Sequence, residues 1–173
     1  MNLANKLTVL RVVLIPVFLL LLYLGFPSSR YAALAVFVIA SATDFLDGHI
    51  ARSRNMVTTF GKFLDPLADK MLVFAALLWF CAEGRFPVWA MALVAAREFA
   101  VSGLRMIAAG EGKVLAAAWS GKIKTASTMI CIILMFFPVP PAVDWICTAV
   151  IVITTLYSGI EYFVKNKGVI SFE

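Results

Sequence analysis

The segment "TDFLDGHIARSRNMVTTFGKFLDPLADKM" (43–71) gathers Asp44, Asp47, Asp65 and Asp69 in a chain that has only ten acidic residues in all. Asp44 and Asp47 are three positions apart and Asp65 and Asp69 four, so on helices each pair shares one face. A turn between two such helices lets the pairs converge. Carboxylates that close raise one another's pKa and cannot all ionise unless cations sit among them. Oxygen ligands without Cys or His suit a hard divalent ion such as Mg2+ or Mn2+. Gly48 and Gly61 remove side chains beside the acidic face, where a phosphate or the backbone of a bulky ligand can approach. The plainer account has these aspartates capping helices or pairing with Arg52, Arg54, Lys62 and Lys70. Two helically spaced pairs flanked by glycines weigh against it.

The elements that must position these residues are strongly apolar. With 62% apolar and 14% charged residues and a mean hydropathy of +0.95, the 173 residues have too little polar surface to coat a soluble globule. The expectation is an all-α, polytopic integral membrane protein forming one domain over 1–173. Its apolar runs lack the alternation of barrel strands, and a bilayer span must satisfy its own backbone, so the spans are helices. Runs between Gly, Pro and charge clusters predict six transmembrane helices at about 8–25, 31–51, 63–82, 87–109, 120–137 and 142–164. "GFPSSR", "CAEGRFP" and "FPVPPAVD" connect them on one side, "RSRNMVTTFGK" and "AAGEGKVLAAAWSGK" on the other.

Charge sets the orientation. Lys6, Arg11, Arg52, Arg54, Lys62, Arg105, Lys113, Lys122, Lys124, Lys165 and Lys167 fall on the side of both termini, and only Arg30 and Arg85 fall opposite. The positive-inside rule makes both termini cytoplasmic and puts the aspartates, hence the active site, at the cytoplasmic end of the bundle. The net charge of +5 fits anionic membrane lipids and anionic substrates. No basic helix with interleaved aromatics is present, so nucleic acid is not an expected partner. Lys6 and Arg11 before an apolar run resemble a signal peptide. No small-residue cleavage site closes the run, and "RYAALAVFVIA" opens a second span almost at once, so a retained helix is expected. Cys81, Cys131 and Cys147 are far apart in apolar sequence and read as packing residues, not as a metal or disulfide set.

Carboxylates in membrane helices also line ion pathways, which makes a small cation transporter the rival from another class. A transporter calls for acids deep in several spans and for broken mid-spans. Here the acids sit at one membrane face beside a positive cluster. A metal-assisted reaction on a phosphorylated substrate at the cytoplasmic interface fits better.

Written with its gaps, the segment is Asp44-x2-Asp47-Gly48-x2-Ala51-Arg52-x8-Gly61-x3-Asp65-x3-Asp69. It resembles the signature of the CDP-alcohol phosphatidyltransferases without a departure at any fixed position. Eight fixed residues over 26 positions make the match specific, and the six-helix length extends the resemblance to essentially the whole chain. The resemblance implies transfer of a phosphatidyl group from CDP-diacylglycerol to an alcohol, release of CMP, two divalent cations, and a homodimer. It implies Asp44, Asp47 and Asp65 as metal ligands, and Asp69 as the general base that also touches a metal. Gly48, Ala51, Arg52 and Gly61 lie at positions that face CDP-diacylglycerol, and "NKLTVLR" (5–11) adds Asn5, Thr8 and Arg11 on the diphosphate. The chemistry is coherent without the name: two metals neutralise a diphosphate, a carboxylate takes the hydroxyl's proton, and an arginine forks onto phosphate.

"REFAVSGLR" (97–105) and "SGKIKT" (120–125) resemble the bacterial branch of the family whose acceptor is glycerol 3-phosphate. That resemblance places the protein in a bacterial inner membrane. It implies Arg105, Lys122, Lys124 and Thr125 as acceptor-binding residues, with positive-inside loop charge as their plainer reading. Inositol phosphate, serine or phosphatidylglycerol are the alternative acceptors. His49 is expected to be an interfacial residue. Glu98 next to Arg97 forms an internal ion pair buttressing the site or belongs to it. Trp79, Trp89, Trp119 and Trp145 fall near span ends, as in an aromatic belt.

Overall fold

A computed structural model describes the backbone of residues 3–53, 59–110, 112, 115 and 118–169, and the side chains of 9–43, 70–110, 112, 115 and 118–168. These residues form six α-helices and one short 3-10 turn, with no strand among them: α1 Leu3–Leu24, α2 Ser29–Ser53, α3 Thr59–Ala82, α4 Val88–Gly110, α5 Trp119–Phe136, α6 Pro141–Lys165, then Lys167–Val169. Contacts sort the chain into two compact units, Met1–Ala76 and Leu77–Glu173.

The expected number and order of helices hold, and the boundaries differ most at the start of α1, which begins at Leu3, and next at the signature. Helix α2 continues through Arg52 to Ser53 and α3 already begins at Thr59, so Arg52 and Gly61 are helical where a long connector was expected. The expected ends at the signature fall where charge begins. Arg and Lys are good helix formers, and charge does not end a helix.

In the first unit α1 packs against α2. Ile15, Phe18 and Leu22 of α1 and Ala33, Phe37 and Ala40 of α2 are buried, each set at helical spacing, and the rings of Phe18 and Phe37 lie 6.1 Å apart. Arg11 is among the largest fully buried side chains, turned inward while Leu10 and Val13 beside it are exposed. Gly25 ends α1 at φ +62, a left-handed conformation that costs a residue with a Cβ and that glycine adopts freely.

In the second unit α4 and α5 each pack on α6. Gly84 at φ +71 closes the end of α3, where the Arg85 and Phe86 amides donate to the Phe80 carbonyl. Pro140 and Pro141 start α6 with Asp144 in its first turn, and the Asn166 amide caps its end by donating to the Tyr162 carbonyl at 2.7 Å. Arg85, just before α4, reaches the end of α5 and the start of α6. Arg105, near the end of α4, reaches Tyr162 near the end of α6. Helices α4 and α6 are therefore parallel, with α5 antiparallel to both.

The interior of this unit is layered. Ala90, Met91, Val94, Cys131, Ile132, Met135, Phe136, Cys147 and Ile151 are buried toward the Arg85 end. Glu98, Lys124, Thr128, Thr155 and Ser158 are buried in the middle. Val101, Leu104, Ala108 and Tyr162 close the other end, with Leu115, Ala118 and Phe163 against them. Polar groups thus face inward while Ile146, Ile153, Leu156, Tyr157, Ile160 and Val164 of α6 face out. By length and composition α6 is the one described helix able to cross a membrane; Val9–Leu24, Ser29–Thr43 and Lys70–Ala82 are shorter apolar stretches. The three cysteines are free, as expected, but Cys131 and Cys147 are not apart: both are buried and they neighbour each other across α5 and α6.

Candidate functional site

The backbone of α2 carries Asp44, Asp47, Gly48 and Ala51 at positions i, i+3, i+4 and i+7, a single stripe of the helix, with Arg52 next to it. Helix α3 carries Gly61, Asp65 and Asp69 at i, i+4 and i+8, again one stripe. Helical continuity within α2 and within α3 is what turns the signature's linear spacing into two faces. The side chains of Asn5, Thr8, Asp44, Asp47, His49, Arg52, Asp65 and Asp69 lie outside the described residues, as do those of Ala51, Gly48 and Gly61. The donor chemistry itself fits a hard divalent cation, because the four aspartates supply only carboxylate oxygens. Among the described residues there is no group of three or more potential metal ligands. Arg11 is the one nucleotide-side candidate whose side chain is described, and it is buried inside the first unit.

The acceptor-side candidates divide by helix face. Lys124 is buried in the second unit, and its Nζ donates to Glu98 Oε1 at 2.6 Å. Lys122 and Thr125 lie on the outer face of α5. Lys122 Nζ sits 5.1 Å from the Trp119 ring centroid, and the Thr125 hydroxyl donates to the Gly121 carbonyl at 3.0 Å. Arg105 is largely exposed; its Nε donates to the Tyr162 hydroxyl at 3.0 Å and its guanidinium lies 5.4 Å from that ring's centroid. The structure therefore separates Lys124 from Lys122 and Thr125, although all three fall within four residues.

Two residues outside that set join Lys124. Glu98 is buried, and its Oε1 accepts from Arg97 Nη1 at 2.8 Å as well as from Lys124. Arg97 Nε is buried and has no hydrogen-bond partner. The sequence signal for this cluster is an Arg-Glu pair in the middle of an apolar helix, a placement too costly to keep without a partner or a use. Its third member, 26 positions from Glu98, had no local signature. At the opposite end of the unit, Arg85 Nε and Nη2 donate to the two oxygens of Asp144 at 2.8 and 2.7 Å, and Nη1 donates to the Met135 carbonyl. Hydrogen bonding to Asp144 raises the Arg85 pKa above its ordinary value and keeps that clamp charged.

Comparison with known proteins gives this arrangement a context. The chain is 41% identical to the CDP-diacylglycerol–glycerol-3-phosphate 3-phosphatidyltransferase of Bacillus subtilis (strain 168), over 95% of both chains. It is 38% identical to the protein of the same name from Pseudomonas fluorescens, over 94% of this chain and 88% of the relative. With the one from Shigella flexneri serotype 5b it shares 36% identity over 93% and 92%. The family model for CDP-alcohol phosphatidyltransferases matches residues 1–157, which takes in α1 to α5, both aspartate stripes and most of α6. By that match and by near full-length identity to these relatives, the chain belongs to the CDP-alcohol phosphatidyltransferase family.

Proposed function

We propose that this protein transfers the phosphatidyl group of CDP-diacylglycerol to glycerol 3-phosphate, giving phosphatidylglycerophosphate and CMP. The observation that carries this reading is the 41% identity, across 95% of both chains, to a relative named for that reaction. Membership of a transferase family also favours an enzyme over the cation transporter that the acidic cluster alone left open.

In this reading Asp44, Asp47, Asp65 and Asp69 hold two divalent cations, Mg2+ or Mn2+, which when bound supply neutralising charge for the diphosphate and for the departing CMP. Asn5, Thr8, Arg11, Gly48, Ala51, Arg52 and Gly61 bind CDP-diacylglycerol. The glycines of the two stripes leave room for the diphosphate, and Arg52 meets a phosphate oxygen with its planar fork. Asp69 takes the proton of the acceptor hydroxyl as that oxygen attacks the phosphatidyl phosphorus and the bond to the CMP oxygen breaks. Arg105, Lys122, Lys124 and Thr125 bind the acceptor, with the buried Lys124 contributing most because its charge is least screened.

The protein works as one catalytic domain in the bacterial inner membrane. Six helices cross the bilayer, both termini are cytoplasmic, and the active site is at the cytoplasmic end. Support comes from polar groups turned inward against an outward apolar face, and from exposed Trp89, Trp119 and Trp145 at helix starts. Lipid and a second copy in a homodimer share that outer surface.

The test is CMP release by the purified protein from CDP-diacylglycerol with glycerol 3-phosphate, inositol phosphate, serine or phosphatidylglycerol offered in turn. Turnover confined to glycerol 3-phosphate is the expected outcome. Preference for another acceptor would replace the substrate and keep the chemistry. Ion flux into liposomes without CMP release would sink the enzyme reading.

A further inference from the structure

We propose that Thr128 of α5 and Thr155 of α6 bind one ordered water between them in the interior of the second unit. Both side chains are fully buried, and neither Thr128 Oγ1 nor Thr155 Oγ1 has a hydrogen-bond partner among the described residues. A hydroxyl withdrawn from solvent and left unbonded is unfavourable, and native interiors satisfy nearly all of them.

A helix offers such a hydroxyl a bond without outside help. Thr125, Ser127, Thr148, Thr154 and Ser158 take it, each donating to a carbonyl three or four residues back along its own helix. Thr128 and Thr155 have the carbonyls of Lys124 and Ile151 in that place and do not use them. Their hydroxyls are turned elsewhere, and the packing shows where. Ser127 Oγ donates to Thr154 Oγ1 at 3.3 Å, which fixes the level at which α5 and α6 meet. One residue further on, each helix has turned by about 100°. Because the two helices run in opposite directions, those turns carry Thr128 and Thr155 to the same side. That side is covered by α4: Lys124, one turn before Thr128, donates to Glu98, and Gly159, one turn after Thr155, lies against Arg97.

Two neighbouring hydroxyls that face one space, and bond neither each other nor the backbone, are matched by one small molecule that both gives and accepts hydrogen bonds. Water has that chemistry. Arg97 and Lys124, within a turn of the pair, disfavour a cation there. Val94 and Ile151, fully buried one turn toward the Arg85 end, disfavour a bulkier ligand. The water ties α5 to α6 one turn from Lys124. The assignment is independent of the reaction proposed above, since neither threonine is placed on a substrate or a metal.

The test is a structure of the purified full-length protein at a resolution that shows ordered water, together with unfolding midpoints in detergent for Thr128→Val, Thr155→Val and the double variant. A single peak about 2.6 to 3.2 Å from both Oγ1 atoms is expected. Each single substitution should lower the midpoint by about 2 to 4 °C, the worth of one net hydrogen bond in a chain of this size. The double variant should fall no further than a single one, because either substitution releases the same water. No peak between the threonines, hydroxyls bonded to each other or to the Lys124 and Ile151 carbonyls, or a peak ligated as a metal ion is, overturns the assignment. Single variants as stable as the wild type or more so overturn it as well, since valine in place of a hydroxyl with no partner costs nothing. Additive losses in the double variant would mean two separate partners and overturn the shared water. If a variant does not yield monodisperse protein, the peak in the wild type decides.

Discussion

The second unit contains two inward-facing arginine–carboxylate clusters, and they are built differently. At one end, Arg85 meets both oxygens of Asp144, adds the Met135 carbonyl, and lies 5.5 Å from the centroid of the Phe80 ring. One cation faces two anions there, since Glu83 Oε2 also lies 4.0 Å from Arg85 Nη1, and all three nitrogens of the guanidinium have a partner. In the middle of the unit, two cations crowd one oxygen of Glu98 and Arg97 Nε is left over. The Arg85 clamp joins the connector before α4 to α5 and α6 through a closed set of bonds. An open set with surplus charge is the arrangement a ligand can complete. The same residue types thus form a closed set of bonds in one place and an open one in the other, and the count of satisfied donors tells them apart.

The most severe way to sharpen this contrast lies in the aspartates, where chemistry without a structural role is expected. Chelation with EDTA should abolish CMP release, with Mg2+ or Mn2+ restoring it. Asp69→Asn should lower turnover by about 10² to 10⁴ while CDP-diacylglycerol binding largely survives. A pair of titrations with rising Mg2+, one of lipid binding and one of CMP release, checks this. Recovery of near-normal turnover at high Mg2+ would make Asp69 chiefly a metal ligand. Next in size is the clamp itself: Asp144→Asn removes the nearer of the two carboxylates from the partly buried Arg85 and should cost about 3 kcal/mol, seen as an earlier unfolding transition in detergent. Both KM values should be unchanged, and a selective rise in either would break the contrast.

Lys124→Ala should raise the KM for glycerol 3-phosphate about tenfold, the value of one charge-assisted bond in a buried site, and affect CDP-diacylglycerol less. The smallest effect belongs to Lys122→Ala, two residues away on the exposed face, where a solvent-screened charge should raise the KM for glycerol 3-phosphate only about two- to threefold and leave that for CDP-diacylglycerol unchanged. Equal effects of Lys122→Ala and Lys124→Ala would mean that burial does not rank the acceptor residues and that these lysines act through surface potential alone.

The sequence by itself determined the family, because the signature places carboxylates and glycines at fixed turns of the chain, and such spacing is a local property. It also determined six helices in order, since each apolar run must satisfy its own backbone and carries its period along the chain. Helix ends at Ser53 and Thr59 were less legible, because charged residues mark a change of environment without ending a helix. What only the tertiary structure decided is which face of each helix is covered. Lys122 and Lys124 look equivalent in "SGKIKT", yet a 200° turn puts one outside and the other against Glu98. Cys131 and Cys147 look remote and are neighbours. Arg97 reads as the neighbour of Glu98 and proves to cross two glycines that lie on different helices. Each of these is set by the packing of α4, α5 and α6 on one another, which no single helix encodes.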